Sequence, residues 1–247
     1  MDRIFRDSQG NDHLPIEVTF PIIKYDGNRT NFVGTGFFVH PAGGFITAKH
    51  VLPAKKEEQN NYWAVQTINR TEHFIRQIQI FFPHPNADIG IGMLRGKIMD
   101  MGLESLRVPL TISLDEPTVG EIVRTFAFPK TTIDSNGKAE ILDVKGNWQE
   151  GTIVEYVERR PMYDGPTYRT SFLTEAGASG GPVICNGLVI GVNSSGVEVE
   201  PGTEPISYIT PISEIFDLMI NDSDGEEFTV GQLMKEGRVF SISKRSR

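Results

Sequence analysis

The sequence has a single cysteine, Cys185, so no disulfide can form within the chain. Secreted proteins of this size usually carry several disulfides, and their absence favours a reducing compartment. The N-terminal residues are too polar to form the apolar core of a secretory signal. No stretch approaches the roughly 20 apolar residues that a membrane-spanning helix needs. We therefore expect a cytoplasmic protein with no membrane partner.

Positive charge is scarce too. The chain has 24 Lys and Arg against 32 Asp and Glu, which gives a formal net charge of −8. Proteins that bind nucleic acids by neutralising phosphates usually have the opposite balance. The last stretch, residues 235–247, is locally basic, and we interpret it as a solvated tail. General nucleic-acid binding is therefore not expected.

Long helical patterns are also missing, and the chain instead contains many short apolar runs. Its 25 glycines and 15 prolines are scattered among these runs, which suits strands joined by turns. Many short strands create exposed edges, and two small closed barrels would remove those edges. We therefore predict an all-β protein.

Periodicity divides the chain into two β-rich halves and an extension. We assign the first half to residues 1–112, the second half to 113–221 and a C-terminal extension to 222–247. In the first half, strands are predicted at residues 16–20, 33–39, 45–48, 62–68, 75–81 and 89–94. In the second half, strands are predicted at residues 122–128, 139–144, 151–157, 168–173, 182–185, 188–193 and 207–210.

The period changes near the end of the second half. Apolar residues at 211–220 recur at three and four positions, which predicts a short helix. An acidic linker follows, and a further helix is predicted at 230–235. The linker contains Asp222, Asp224, Glu226 and Glu227. We interpret the linker and tail as a candidate docking segment for an activating protein partner, on composition alone.

Two local patterns, each weak alone, place a histidine and an aspartate at the ends of strands. The strand at 45–48 leads into His50, so the imidazole falls where that strand ends. Asp88 directly precedes the apolar alternation at 89–94, where a carboxylate can orient an imidazole and stabilise its protonated form. Taken singly, a half-buried histidine and a turn-capping aspartate are the more common explanations.

A third pattern is far more specific, because residues 177–182 are Gly-Ala-Ser-Gly-Gly-Pro. Glycines on both sides of Ser179 permit a tight turn that exposes its hydroxyl group. The same turn can aim the backbone N–H groups of Gly177 and Ser179 at one point, as acyl transfer requires for its developing oxyanion. An idle serine in a glycine-rich turn is the alternative, and it does not explain the other two patterns.

Together these patterns resemble the three signatures of trypsin-like, chymotrypsin-fold serine peptidases. The order is histidine, aspartate, serine, with spacings of 88 − 50 = 38 and 179 − 88 = 91 residues; subtilisins and α/β-hydrolases use other orders. Residues 34–39, Gly-Thr-Gly-Phe-Phe-Val, also resemble the strand that leads to the family's histidine. The resemblance covers about residues 16–220. It implies two six-stranded antiparallel β-barrels with a short C-terminal helix and tail.

The resemblance implies a serine endopeptidase that acts on proteins or peptides. Ser179 would attack the scissile carbonyl, His50 would pass its proton to the leaving amine, and Asp88 would orient the imidazole. The N–H groups of Gly177 and Ser179 would hold the oxyanion, and no metal or organic cofactor is implied. A metal shared by His84 and Asp88 is an alternative, but no third ligand is suitably spaced.

The chain departs from the secreted members of this family. Ala178 stands where zymogen-activated members carry an aspartate, so that activation route is closed. With no disulfide, the chain is similar to the bacterial and organellar branch that includes the HtrA-like proteases. The residues after 220 are too few for a PDZ domain. Lys49 replaces the small residue usual beside the histidine, and nothing in the sequence explains it.

The resemblance also implies which residues contact the substrate. Leu173 would stand at the base of the pocket for the residue before the cut, with Thr174 beside it. Because Leu173 cannot pair with lysine or arginine, we expect a small or medium apolar residue in this pocket. The wall that pairs with the substrate backbone would be formed by Asn193, Ser194, Ser195 and Gly196.

Two other functions share these residues. A catalytically silent or partner-activated module would use the same cleft to grip an extended peptide by adding a strand. An esterase would use the same chemistry on a different substrate. The presence of Ser179, His50 and Asp88 together favours the peptidase.

Overall fold

The computed structural model describes residues 5–7, 11–68, 72–95, 109–135, 140–159, 165–197, 206–221 and 225–243. Two of the acidic linker residues, Asp222 and Asp224, lie outside the described residues, as does the end of the basic tail. Among the helices that are described, none is long and apolar enough to cross a membrane.

The N-terminus forms a small hairpin and one helical turn. The hairpin pairs β1 (Phe5–Arg6) with β2 (Asp12–His13), and α1 (Pro15–Val18) follows. The strand predicted at 16–20 is therefore wrong up to residue 18. Proline favours the first position of a helix, and the Glu17 carboxylate accepts a hydrogen bond from the backbone N–H of Leu14. These two local signals override the alternating pattern.

Six strands close into the first barrel. They pair antiparallel in the order β3-β4-β5-β8-β7-β6. Their bounds are β3 (Thr19–Tyr25), β4 (Thr30–His40), β5 (Gly44–Thr47), β6 (Tyr62–Ile68), β7 (Glu72–Pro83) and β8 (Gly90–Leu94). A short helix, α2 (Lys56–Gln59), lies between β5 and β6.

Phenylalanine side chains fill the first barrel. Phe20 packs against Phe38 and Phe45, with ring centroids 4.7 Å and 5.6 Å away, and all three side chains are fully buried. Each such burial contributes about 1.5–3 kcal/mol. The core therefore holds the ends of β4 and β5 in fixed positions beneath the cleft.

Six more strands close into the second barrel, in the order β15-β10-β13-β14-β17-β16, with β16 pairing back to β15. The two six-stranded antiparallel barrels of the prediction are therefore confirmed. The strands from β9 onward are β9 (Ile112–Ser113), β10 (Ile122–Ala127), β11 (Thr132–Ser135), β12 (Glu140–Asp143), β13 (Asn147–Val157), β14 (Thr167–Thr170), β15 (Pro182–Cys185), β16 (Leu188–Val197) and β17 (Ile206–Pro211). Of these, β11 and β12 form a separate hairpin. Cys185 is buried in the core of this barrel.

The C-terminal segment packs on the barrels instead of extending into solvent. A hairpin of β18 (Met219–Asn221) and β19 (Glu227–Thr229) leads into α3 (Val230–Lys235), and β20 (Ser241–Ile242) pairs with β9 in parallel. The interpretation of residues 235–243 as a solvated tail is therefore wrong. Apolar side chains hold the segment in the main core, namely Val230, Leu233, Met234 and Val239.

The two helix predictions in this segment have different outcomes. The helix at 230–235 is confirmed as α3. The helix predicted at 211–220 is one 3-10 turn, Ile212–Ile215, followed by β18. Ile212, Ile215 and Leu218 are buried at a spacing of three residues, which is the period of a 3-10 turn. The apolar residues do recur regularly, but their period is that of a 3-10 turn and not that of an α-helix.

Candidate active site

His50 lies in a tight turn at the end of β5. That strand ends at Thr47, and Lys49–Val51 form one 3-10 turn. The Thr47 hydroxyl donates a hydrogen bond to the Thr35 carbonyl of β4, 2.7 Å away, which anchors the strand end. The His50 side chain keeps 39% of its surface exposed. The turn thus fixes the backbone of His50 and leaves part of the ring open to solvent.

Asp88 is buried in the turn between β7 and β8, and His84 shapes that turn. The Nδ1 atom of His84 accepts hydrogen bonds from the backbone N–H groups of Asn86 at 3.3 Å and Ala87 at 2.7 Å. Burial, and then the charge of Lys49, lower the pKa of His84. A neutral ring keeps Nδ1 able to accept these bonds.

Sequence reasoning missed the roles of His84 and Lys49. From the sequence alone, His84 was considered only as a metal ligand, but its side chain is half-buried and bonds to its own turn. The Lys49 ammonium donates a hydrogen bond to the Pro85 carbonyl, 2.6 Å away, and so ties the His50 turn to the Asp88 turn. His84 precedes Asn86 by two residues and Ala87 by three, and polar side chains at this spacing often accept hydrogen bonds from the backbone of a turn. This spacing was the only sequence signal for the role of His84. Lys49 had no sequence signal, because its partner is 36 residues away.

The His50 ring and the Asp88 carboxylate form a close pair. The Nδ1 atom of His50 lies 3.0 Å and 2.9 Å from the two carboxylate oxygens of Asp88, and the His50 backbone N–H donates to the same carboxylate at 3.1 Å. The Ser194 hydroxyl donates a further, short hydrogen bond to it. Burial alone would raise the pKa of Asp88, but the hydrogen bonds and charge of His50, with the bond from Ser194, hold it below its usual value. The carboxylate therefore stays charged although it is buried.

The turn that carries Ser179 is built on glycines that nothing larger could replace. Gly177 and Gly180 both have φ of +87°, a conformation that only glycine adopts readily. A Cβ at Gly180 would lie 2.1 Å from the Thr35 carbonyl oxygen. The Thr35 backbone N–H donates to the Ser179 carbonyl at 2.8 Å, and the Thr35 hydroxyl donates to the Gly177 carbonyl at 3.1 Å. Thr35 of the first barrel thus fixes the serine turn of the second.

The Ser179 hydroxyl bonds to the backbone of the second barrel. It donates a hydrogen bond to the Ser194 carbonyl, 3.1 Å away, and within the described residues no hydrogen bond joins it to His50. The backbone N–H groups of Gly177 and Ser179 have no acceptor in the part of the chain that the structure describes. Those two donors are free to bind an oxygen from a ligand.

The predicted pocket residues lie close together and leave little room between them. Leu173 is 37% exposed, whereas Thr174 is buried and its N–H donates to the Ser207 hydroxyl at 2.6 Å. A Cβ placed on Gly196 would lie only 2.2 Å from the Thr174 carbonyl oxygen. The Thr174 carbonyl, beside the predicted pocket base, is therefore in contact with Gly196 of the predicted wall.

Asn193 does not fit the wall that we predicted. It is fully buried, its N–H donates to the Gly181 carbonyl at 2.9 Å, and its carbonyl accepts from the Gly180 N–H at 2.8 Å. Both of its backbone groups are thus used inside the protein. Ser194 is equally buried but belongs to the Asp88 cluster, whereas Ser195 and Gly196 reach the surface.

The metal alternative gains no support from the described residues. No group of three His, Cys, Asp or Glu side chains among them is arranged to hold a metal ion. The Nδ1 atom of His84 is occupied by its own turn, and Asp88 by His50 and Ser194.

Solved structures of proteases share this fold. Neuropsin, a serine protease expressed in the limbic system of mouse brain, matches with a TM-score of 0.57 and 18% identity over 81% of this chain and 92% of its own. An inactive form of Rv3671c from M. tuberculosis H37Rv matches with a TM-score of 0.53 and 18% identity over 90% of this chain and 88% of its own. The HtrA-type protease AlgW, solved with a tripeptide, matches with a TM-score of 0.53 and 14% identity over 80% of this chain and 57% of its own. At these identities the likeness concerns the fold alone.

The sequence itself matches a family model. No curated protein matches the chain. The model that does match is that of the trypsin-like peptidase domain, over residues 34–192. This range contains His50, Asp88 and Ser179 and reaches from β4 to β16. On this match and on its two-barrel fold, the chain belongs to the trypsin-like peptidase family.

Proposed function

We propose that this protein is a serine endopeptidase that cleaves peptide bonds through an acyl-enzyme on Ser179. The observation that carries the proposal is the double role of Ser194. Its hydroxyl bonds to the Asp88 carboxylate, and its carbonyl accepts the Ser179 hydroxyl. The nucleophile and the His50–Asp88 pair therefore meet at one buried residue.

Each group has a defined part in the reaction. Ser179 Oγ attacks the scissile carbonyl carbon while its proton passes to His50 Nε2, and Asp88 holds the opposite ring nitrogen. The proton then goes to the leaving amine as the C–N bond breaks, which leaves an acyl-serine. Water attacks the acyl group with His50 as base, and Ser179 regains its proton. The free N–H groups of Gly177 and Ser179 stabilise the oxyanion in both steps.

The first step requires the Ser179 hydroxyl to change its hydrogen-bond partner. The Ser179 hydroxyl must exchange its hydrogen bond to the Ser194 carbonyl for one to His50 Nε2. Hydrogen bonds at catalytic sites without substrate are often loose and tighten when substrate binds. The observed orientation is therefore compatible with a competent enzyme at rest.

The test is labelling with a fluorophosphonate, which forms a bond to an activated serine Oγ and releases fluoride. We expect wild type and a His73→Ala control to be labelled, Ser179→Ala not to be labelled, and His50→Ala to react about 10²–10⁴ times more slowly. His73 is an exposed histidine of the first barrel, so it controls for loss of an imidazole. Labelling that persists in a folded Ser179→Ala protein would overturn the assignment of the nucleophile.

We further propose that the enzyme prefers a small or medium apolar residue before the cut. The support is that the predicted pocket residues Leu173 and Thr174 carry no charge, and that the Thr174 carbonyl leaves no room for a Cβ on Gly196. Profiling with a peptide library checks this. A profile dominated by lysine or arginine would refute it.

A resting state that a partner or peptide opens is the second candidate function. It is favoured by the Ser179 hydroxyl bonded to Ser194 and by the closed contact of Thr174 with Gly196. If folded wild type is not labelled, a fluorescent pool of extended peptides should be tested for binding to Ser179→Ala protein. Deleting residues 222–247 is not a clean test of partner docking, because it removes Val230 and Leu233 from the core.

The proposed cytoplasmic location rests on the single cysteine.

A further inference from the structure

A cavity of about 520 Å³ lies between the first barrel and the C-terminal segment. None of the proposed catalytic or substrate-binding residues lines it. Its volume falls within the roughly 300–1,000 Å³ that is typical of sites for small organic ligands. The cavity is therefore a candidate site of its own.

The floor of the cavity is the outer face of the first barrel. Successive residues of a strand point to opposite faces, so Ile80 and Phe82 of β7 point outward while Phe81 points into the barrel. Ile91 and Met93 of β8 stand beside them, because Phe82 pairs with Ile91 and Ile80 pairs with Met93. An outer barrel face would ordinarily be polar, but here four neighbouring positions are apolar.

The roof is the C-terminal segment. Ile220 of β18, Phe228 of β19 and Leu233 of α3 complete the lining from above. Ile220 and Phe228 remain half-buried, as do Ile80, Phe82 and Met93 below them. The roof and floor thus do not fill the space between them, and these five half-buried apolar side chains gather around it. Such a gathered apolar surface is typical of a binding site.

The charged groups of the lining all have the same sign. Lys56 and Arg238 line the cavity, and its lining as described includes no aspartate or glutamate. This is a strong bias in a chain with 32 acidic and 24 basic residues. Arg238 lies over the Phe228 ring and makes an exposed ion pair with Glu236 at 3.7 Å, whereas Lys56 has no ion-pair partner among the described residues. An apolar cavity with cations at its edge is complementary to an amphipathic anion.

We propose that this cavity binds a long-chain carboxylate. The hydrocarbon chain lies between the apolar floor and roof, and the carboxylate lies at Lys56 and Arg238. This binding is independent of peptide cleavage, because none of the proposed catalytic residues takes part. Its test therefore reads binding directly and does not depend on activity.

The experiment is a calorimetric titration of the full chain with dodecanoate, dodecanol and dodecyltrimethylammonium, the two ions below their micelle concentrations and dodecanol below its solubility limit. We expect dodecanoate to bind best, and shortening its chain to weaken binding about fourfold for each methylene removed. The double variant Lys56→Gln/Arg238→Gln should weaken dodecanoate binding about tenfold and leave dodecanol binding unchanged. Equal binding of the three compounds, or tighter binding of the cation, would overturn the carboxylate assignment.

A cavity-filling variant tests the location. Met93→Trp places a large ring in the cavity and should abolish dodecanoate binding, whereas Ile75→Trp, at an exposed position of β7, should not. Circular dichroism of both variants controls for folding. Undiminished binding to a folded Met93→Trp protein would place the ligand elsewhere, and no binding to wild type would refute the proposal. The surface double variant remains informative even if Met93→Trp does not fold.

Discussion

Asp88 and Glu214 lie in neighbouring parts of the molecule, yet their carboxyl groups respond to burial in opposite ways. Gly165 packs between them: a Cβ on it would be 2.9 Å from the Cβ of Ala87, the residue before Asp88, and 3.2 Å from a Glu214 carboxylate oxygen. Burial pushes the pKa of both groups up. The pKa of Asp88 is nevertheless held below its usual value, whereas that of Glu214 is raised by burial, Glu116 and Asp217.

The difference lies in the donors around each group. Asp88 receives hydrogen bonds from the His50 ring, the His50 backbone and the Ser194 hydroxyl. Among the described residues, Glu214 receives none and faces two negative charges instead. Depth of burial therefore does not decide which carboxylate the fold keeps charged. The convergent donors at Asp88 offset its burial, and Glu214 has no such donors among the described residues.

Removing the charge of Asp88 should have the largest effect. Asp88→Asn keeps the shape of the side chain, but it can offer an N–H to His50 Nδ1 and so stabilise the wrong tautomer. We expect turnover or fluorophosphonate labelling to fall about 10⁴-fold, as in other triads of this type. The measurement compares the rate of the folded variant with that of the wild type at saturating substrate. A loss below about tenfold would mean that Asp88 does not orient the base.

Removing one donor from Asp88 should cost stability in a pH-dependent way. We expect Ser194→Ala to lower the free energy of unfolding by about 1.5–3 kcal/mol at neutral pH, because a hydrogen bond to a charged group is lost. The pKa of Asp88 is lowered on folding, so its contribution is present above the usual value of 3.8 and is lost as pH falls through the folded value. The deficit of the variant should therefore shrink in acid.

Urea unfolding of wild type and Ser194→Ala across that range is the measurement. A deficit that stays constant from neutral pH to acid would show that the Ser194 hydroxyl acts through packing and not through the Asp88 charge.

A neutral hydrogen bond in the same cleft calibrates this effect. The Thr35 hydroxyl donates to the Gly177 carbonyl and accepts the Phe128 N–H at 3.3 Å. Thr35→Val keeps the shape but leaves both groups without this partner, and we expect a loss of about 1 kcal/mol. No charge is involved, so the loss should be the same at every pH. Urea unfolding of Thr35→Val at the same pH values as Ser194→Ala measures this loss. A loss that changes with pH would contradict the prediction.

The sequence predicted best where the determining contacts are local. Strands 62–68 and 182–185 and helix 230–235 match the structure to the residue. Alternation, a short apolar run and a helical period can each be recognised from residues that are neighbours in the sequence. The pairing of β20 with β9 was missed, since residues about 130 positions apart determine it. Similarly, the Lys49–Pro85 hydrogen bond joins two turns that only the folded barrel brings together.

Within the candidate site, the sequence predicted which residues lie at the ends of strands, but not the direction in which each side chain points. His50 and Asp88 follow from where strands end and begin. The family resemblance implied that Asn193 belongs to the substrate wall, together with Ser194, Ser195 and Gly196. The pairing of β16 with β17 shifts register between Asn193 and Ser195, and such an irregularity changes which face a side chain occupies. No periodicity in the sequence reveals that shift.

The smallest expected effect is a gain in stability from neutralising Glu214. Its pKa is raised above the usual value of 4.5 on folding, so the charged form is disfavoured in the folded state. That penalty is present above the folded pKa and disappears as pH falls below the usual value. Because the side chain is only half-buried, we expect Glu214→Gln to stabilise the protein by about 0.5 kcal/mol at neutral pH.

Thermal melts of Glu214→Gln should therefore show a midpoint about 1–2 °C above that of wild type at neutral pH and no difference in acid. Glu227→Gln, at an exposed position of β19, is the matched control and should leave the midpoint unchanged at both pH values. An equal gain from both variants would reflect the chain's net charge of −8 alone. A loss of stability in Glu214→Gln would mean that this carboxylate is held by donors after all, and the contrast with Asp88 would disappear.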